Sequence, residues 1–209
     1  MNYKLNNPLP KALLIVFLAF LSFNSVKAQE SGSTDEVVIS EDLMNYFKKS
    51  VLKRVKRLEH YISMIADKEI EDKLRRDAID QTIELFESNN NVVQVSYIRN
   101  GETQVKDYPV RTYFDRLYAI KAEKVDITFY EVTQLTDIRR GMDDKFYATA
   151  FIFQDTKIYY DSESDVPDYQ DKTTKAIDVI IKPDTVTMGD KAVVLYPAKL
   201  GNINVKETR

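Results

Sequence analysis

The amino-acid pattern predicts an α+β domain in which two or three N-terminal helices pack on a curved antiparallel sheet. Three observations carry that expectation. From Met44 to Phe86 apolar residues recur at spacings of three and four, the repeat of one helix face. From Lys124 onward the period drops to two, the repeat of a strand with one covered face. Between the two regimes stand the chain's densest turn signals, Ser88-Asn89-Asn90-Asn91 and Asn100-Gly101.

Ahead of the domain, Lys4 and Lys11 precede or flank an unbroken apolar run, Ala12 to Leu21, and Val26-Lys27-Ala28 supplies small residues around a cleavage point. That order predicts a secretory signal peptide over residues 1–28. The uncharged stretch between Lys11 and Lys27 is shorter than the roughly 20 residues a membrane-spanning helix needs. Residues 29–39, opening with QESGSTD, read as a flexible tether, and 40–209 as a single domain. The expectation is a periplasmic or secreted protein with no membrane span after cleavage.

Ser40 is placed to cap the first helix, with Glu41 and Asp42 in the turn where the helix dipole favours acids. Met44, Phe47, Val51, Val55, Leu58, Ile62 and Ile65 form its apolar stripe. The interleaved Lys48, Lys49, Lys53, Arg54, Lys56 and Arg57 read as its solvated face. Asp67 offers a second cap, for a helix carrying Ile70, Leu74, Ala78, Ile83 and Phe86. Val92 to Ile98 then alternates as a strand and turns at Asn100-Gly101 into a short return strand, Thr103 to Lys106. Pro109 opens a third helix, lined by Val110, Tyr113, Phe114, Leu117 and Ile120.

The remaining period-two runs are 125–132, 145–154, 175–182, 191–196 and 202–206. Short turns between them predict an antiparallel meander. The run 146–153 is apolar on both faces, so it belongs inside the sheet, with helices over one face and another layer, a partner or a ligand over the other.

Composition removes several chemistries. The 209 residues contain no Cys, which excludes thiol catalysis, disulfides and cysteine metal sites. The one histidine, His60, lies in a helical pattern and reads as a helix-surface residue. The five glycines are scattered, so no phosphate-binding loop can be written and no cofactor is expected. The formal charge of −3 becomes more acidic once Lys4, Lys11 and Lys27 leave with the signal peptide, a poor balance for binding nucleic acid.

The element order, together with segments such as YPVRTYFDRL and YYD...DKTTKAIDV, resembles the cystatin-like cone of the nuclear transport factor 2-like superfamily, in particular small exported proteins of Bacteroidetes-type bacteria. The resemblance spans about residues 40–206. It implies a sheet curled around the long helix with a pocket in the cone, used by some members for isomerase, dehydratase or hydrolase chemistry and by many others for binding or dimerisation. It therefore does not choose a function.

In enzymatic members a desolvated carboxylate and a Tyr hydroxyl share the pocket, which raises the carboxylate toward useful basicity. Asp126, Glu131 and Asp178 are the strand carboxylates here, with Tyr46, Tyr61, Tyr130 and Tyr147 as hydroxyl candidates. Alternation sets Asp126 opposite Val125, Ile127 and Phe129, and Asp178 opposite Ile177, Val179 and Ile181, so both read as solvent-facing and no catalytic residue is assigned. Asp161, Glu163 and Asp165 have the first spacing of a calcium loop, but Val166, Pro167 and Lys172 break its later positions. The segment 161–171, with Asp168 and Asp171, reads as an acidic hairpin loop without a metal. Tyr147, Phe151 and Phe153 share the face of their strand that three helices on the other side cannot cover; they are the candidate binding residues.

The leading expectation is a non-enzymatic exported binding domain of the cell envelope that takes a protein partner or a small apolar ligand, with a homodimer among the outcomes. The alternatives are a small isomerase-like or hydrolase-like enzyme using a pocket carboxylate and Tyr, and a structural envelope subunit that self-associates.

Overall fold

In the computed structural model, which describes residues 39–99, 102–161 and 163–209, the first helix begins where the sequence places it. The segments expected to be a signal peptide and, up to residue 38, a tether lie outside the described residues, as does Asn100-Gly101. Helix α1 (Glu41–Ala66) is capped by Ser40, whose hydroxyl accepts from the Leu43 N–H at 3.3 Å. Its buried face is Phe47, Val51, Val55, Leu58, Ile62 and Ile65. The cationic residues between them are exposed, apart from the half-buried Arg54.

Asp67 closes this helix instead of opening the next. Its backbone N–H bonds the Ser63 carbonyl and its carboxylate accepts from the Glu69 N–H at 2.9 Å, so it builds the turn between helices. Helix α2 (Asp72–Ile83) starts five residues later without a side-chain cap. Its inward face is Arg75, Ala78, Ile79, Thr82 and Ile83, while Leu74 is 48% exposed. Ala78 and Ile83 of the expected stripe are buried, but at the first turn Arg75 faces inward where the sequence predicts Leu74. Helix α3 (Val110–Tyr118) follows Pro109 as expected and buries Val110, Phe114 and Leu117.

Arg75 ties the three helices together. Buried at the end of the bundle, its guanidinium donates to the Ile65 carbonyl at 2.8 and 3.0 Å and to the Tyr118 carbonyl at 3.1 Å. It also lies 4.5 Å from the centre of the Tyr118 ring. The last carbonyls of α1 and α3 have no partner within their own helices, and the dipole makes those ends attractive to a cation.

The strands are β1 (Val92–Arg99), β2 (Glu102–Pro109), β3 (Lys124–Leu135), β4 (Arg139–Arg140), β5 (Phe146–Tyr159), β6 (Tyr169–Ile181), β7 (Asp184–Met188), β8 (Lys191–Leu195) and β9 (Ala198–Thr208). The main sheet runs β2-β1-β9-β6-β5-β3, with β4 also on β5. The expected meander is present in β3-β5-β6-β9, each pair antiparallel. Register shifts in β3 and β9 interrupt the ladders, and such bulges bend a sheet.

Two features correct the sequence reading. The sheet is mostly, not wholly, antiparallel: β1 lies parallel to β9 at Val93↔Ile203. A hairpin formed early is joined there to the last strand of a separate meander, and no short turn dictates their relative direction. The run 191–196 also leaves the meander. As β8 it pairs only with β7, in an exposed two-stranded ribbon that turns at Gly189 with φ 62°. The residues of β8 are exposed, whereas Tyr196, just beyond it, packs against the core beside Phe47 and Phe146.

The helices cover one face of the sheet. On β5 that inner face is Phe146, Ala148, Ala150 and Ile152, all buried, and α1 meets it through Phe47, whose ring lies 5.0 Å from that of Phe146. The described elements form one compact unit. Among the described residues no helix is long and apolar enough to cross a membrane.

Candidate functional site

The inner face of β6 changes character along its length. Its second half presents Ile177, Val179 and Ile181, fully or almost fully buried. Following the same alternation backwards, the next residues on this face are Lys175, Thr173 and Asp171. All three are buried, with Asp171 and Lys175 exposed by only 7% and 5%. They line a pocket of about 340 Å³.

Four elements complete the walls. Helix α3 contributes Tyr113 and Leu117, and the segment after it Ile120; β3 contributes Val125 and Ile127, β5 Gln154 and Ile158, and β1 Val95 and Ser96. Most of this surface is apolar. The size and the few convergent polar groups match small-molecule sites, which begin at about 300 Å³.

Both oxygens of the Asp171 carboxylate are engaged. The Tyr169 hydroxyl donates to Oδ2 and the Thr173 hydroxyl to Oδ1 at 3.2 Å. Thr173 also approaches Thr208 on β9, whose hydroxyl donates to Ser96 on β1 at 2.6 Å. A chain of hydroxyls thus links three adjacent strands across the pocket edge and ends on the carboxylate. Burial first, then donation to Asp171 and that residue's charge, push the Tyr169 hydroxyl pKa well above the ordinary tyrosine value. Burial and then Asp171 likewise push Tyr113 up to about 12, so both phenols are neutral donors at physiological pH.

Lys175 is treated differently. Its ammonium makes no hydrogen bond and no ion pair among the described residues, although it is not sealed from the pocket. Burial pushes its pKa down to about 8, against a smaller upward pull from Asp171. A desolvated cation without acceptors is costly to keep. The pocket therefore pairs one satisfied carboxylate with one unsatisfied ammonium.

The carboxylates singled out from the sequence lie elsewhere. Asp126 is paired with Lys124 at 3.2 Å. Asp178 sits on the outer face above Gly201, where a Cβ would stand 2.9 Å from the Asp178 Cβ. Burial raises its pKa, opposed by Lys206 and Asn204. The side chain of Glu131 lies outside the described residues. Tyr46 is exposed on α1, Tyr61 packs at the core edge, and Tyr130 and Tyr147 donate to Asp155 and Asp143 respectively. None of these reaches the Asp171–Lys175 pocket. His60 is exposed on α1.

Tyr147, Phe151 and Phe153 do share the outer face of β5, as alternation predicts. Phe153 is 45% exposed and lies opposite Tyr130, itself 51% exposed. Tyr147 is partly explained locally, since its ring lies over Gly141 and its hydroxyl donates to Asp143 at 2.7 Å. The 161–171 segment is shorter as a loop than expected, because Tyr169 onward belongs to β6. Asp161 and Asp168 accept from the backbone N–H groups of Glu163 and Tyr160 at 3.0 and 2.7 Å, which spends those oxygens on holding turns. Among the described residues no group of three or more possible metal ligands comes together.

Asp171 and Lys175 were legible in principle. Stepping back by two from Ile181 through Val179 and Ile177 puts both on the covered face; reading 161–171 as one loop hides the start of the strand. Tyr113 carries no such signal, since its place on the α3 stripe is equally that of a core residue. Against protein-family models, curated protein sequences and solved structures, the chain finds no match.

Proposed function

We propose that this is an exported binding domain of nuclear transport factor 2-like architecture that takes a small, mainly apolar molecule into the inner pocket and performs no chemistry on it. The observation that carries the reading is the pocket itself, with mainly apolar walls from α3, β1, β3 and β5 and its two charged groups on β6. Supporting the architecture are a hairpin ahead of the third helix and its parallel placement beside the last strand of an antiparallel meander. Export rests on the basic start, the apolar run and Val26-Lys27-Ala28.

A second reading is favoured by one observation: Asp171 faces inward and has no ion pair among the described residues. An inward carboxylate beside a neutral tyrosine is the equipment of a general base. Against it, both Asp171 oxygens already accept hydroxyl hydrogen bonds.

The test uses protein recovered from the cell envelope. Its mass should correspond to a chain beginning at Gln29 or a neighbour. Titration with indole, followed by methyl NMR, should shift Leu117, Ile120, Ile127 and Ile158 and leave the α1 core methyls still. An intact Met1 end would overturn export. Indole shifts absent at millimolar concentration, or confined to the outer face, would overturn the pocket reading.

A further inference from the structure

We infer that the molecule this pocket takes is a small singly charged carboxylic acid with an apolar body, whose carboxylate is received by Lys175. The inference rests on the pocket reading above and adds the polarity of the ligand.

The two charged groups of the pocket are not equivalent. Asp171 and Lys175 are the charged residues among the described pocket lining. Asp171 needs no donor from a ligand, because Tyr169 and Thr173 supply one to each oxygen. Lys175 has three N–H donors and no acceptor among the described residues, and it is 95% removed from solvent. What Lys175 lacks among the described residues is a bonded acceptor, and an anionic one answers both the missing hydrogen bonds and the missing charge.

The surroundings limit which anion. One ammonium with a carboxylate on the same strand face suits a single negative charge; a phosphate dianion would carry uncompensated charge toward Asp171. Of the phenols that line the site, Tyr113 from α3 is held protonated and can donate to the same carboxylate, whereas Tyr169 on β6 already spends its one O–H on Asp171. Gln154 on β5 and Ser96 on β1 add neutral polar atoms. Beyond them the walls are aliphatic, which calls for a hydrocarbon body. The volume of about 340 Å³ suits a compact molecule and not a long-chain lipid.

The test compares octanoate with octan-1-ol by calorimetry. At pH 7 octanoate should bind about tenfold tighter or better, the size of one charge-assisted hydrogen bond. Lys175→Met should remove that preference while still binding octan-1-ol. In the unsubstituted protein the preference should also fall as pH rises from 7 to 10, because Lys175 loses its proton while octanoate stays ionised and octan-1-ol is indifferent. This second arm needs no variant to fold. Equal affinity for the two probes at pH 7, or a preference that survives Lys175→Met or pH 10, would overturn the inference and leave the pocket reading standing. If neither probe binds, both fall together.

Discussion

The two faces of the sheet solve the problem of a partly covered surface in different ways. The inner face meets α1 at the Ile177–Ile181 end of β6 and closes into packed core, then opens at the Asp171–Lys175 end into a walled pocket. The outer face carries Tyr130, Phe151 and Phe153 beside polar neighbours such as Lys172, Thr174 and Asp178, and none of the three helices covers it. Aromatic content alone points to the outer face as the place of recognition. Burial points to the inner one, because a mostly buried ammonium that opens only onto a pocket and makes no hydrogen bond among the described residues is the rarer and more costly feature.

The largest effect expected from probing this contrast is at the closed end of the inner face. Phe47 is fully buried against Phe146 and Tyr196, at 5.0 and 5.4 Å between ring centres. Phe47→Ala should lower unfolding free energy by about 3–5 kcal/mol in urea titration. A loss near that of a surface substitution would mean that the helix layer does not seal this face.

Next in size is the pH dependence set by Lys175. Its folded-state pKa is depressed to about 8 from an ordinary 10.5, so the buried ammonium opposes folding at neutral pH by roughly 3 kcal/mol. That penalty is fully present below pH 8, where both states are protonated. It shrinks between about 8 and 10.5, where the folded state has released its proton and the unfolded state still holds it, so stability rises with pH in that window. Tyr113, raised from 10 to about 12, acts oppositely above pH 10: the unfolded chain ionises first and stability falls. Urea titrations at pH 7 and 9.5 should show the rise in the unsubstituted protein and its loss in Lys175→Met. A flat profile in the former would show that the ammonium is solvated and the two faces less different than their burial implies.

The smallest effect on stability is expected on the outer face. Phe153→Glu should change unfolding free energy by about 0.5 kcal/mol or less, as exposed positions do. Its proposed consequence is on assembly. If the aromatic face pairs two copies, sedimentation at micromolar concentration should find a dimer that Phe153→Glu separates into folded monomers, since a stable interface needs about 800 Å² from each partner. A monomer before substitution would leave the outer face as ordinary exposed surface, whereas an unfolded variant would place Phe153 in a core.

The amino-acid sequence by itself determined the class of the domain, the three helices and the period-two segments, because helix and strand periods are written in local spacing of apolar residues. Ser40 and Pro109 marked helix starts for equally local reasons, a hydroxyl for orphan N–H groups and a ring whose missing N–H is harmless there. Asp67 shows the limit of such signals: a carboxylate that can cap a helix can equally hold a turn, and the choice depended on where α1 ended. Tertiary structure decided which strands joined the sheet. Residues 192–195 are an unbroken apolar run, yet pair only with β7, and β1 reached β9 across more than a hundred residues of sequence. It also decided the site. Asp171 and Lys175 are four residues apart on one strand; Asp171 takes its donors from Tyr169 and Thr173, two residues away on the same strand, whereas what faces Lys175 depends on the walls that four other elements bring around it. Alternation records which residues share the covered face, but whether that face closes into core or opens into a pocket is a property of packing.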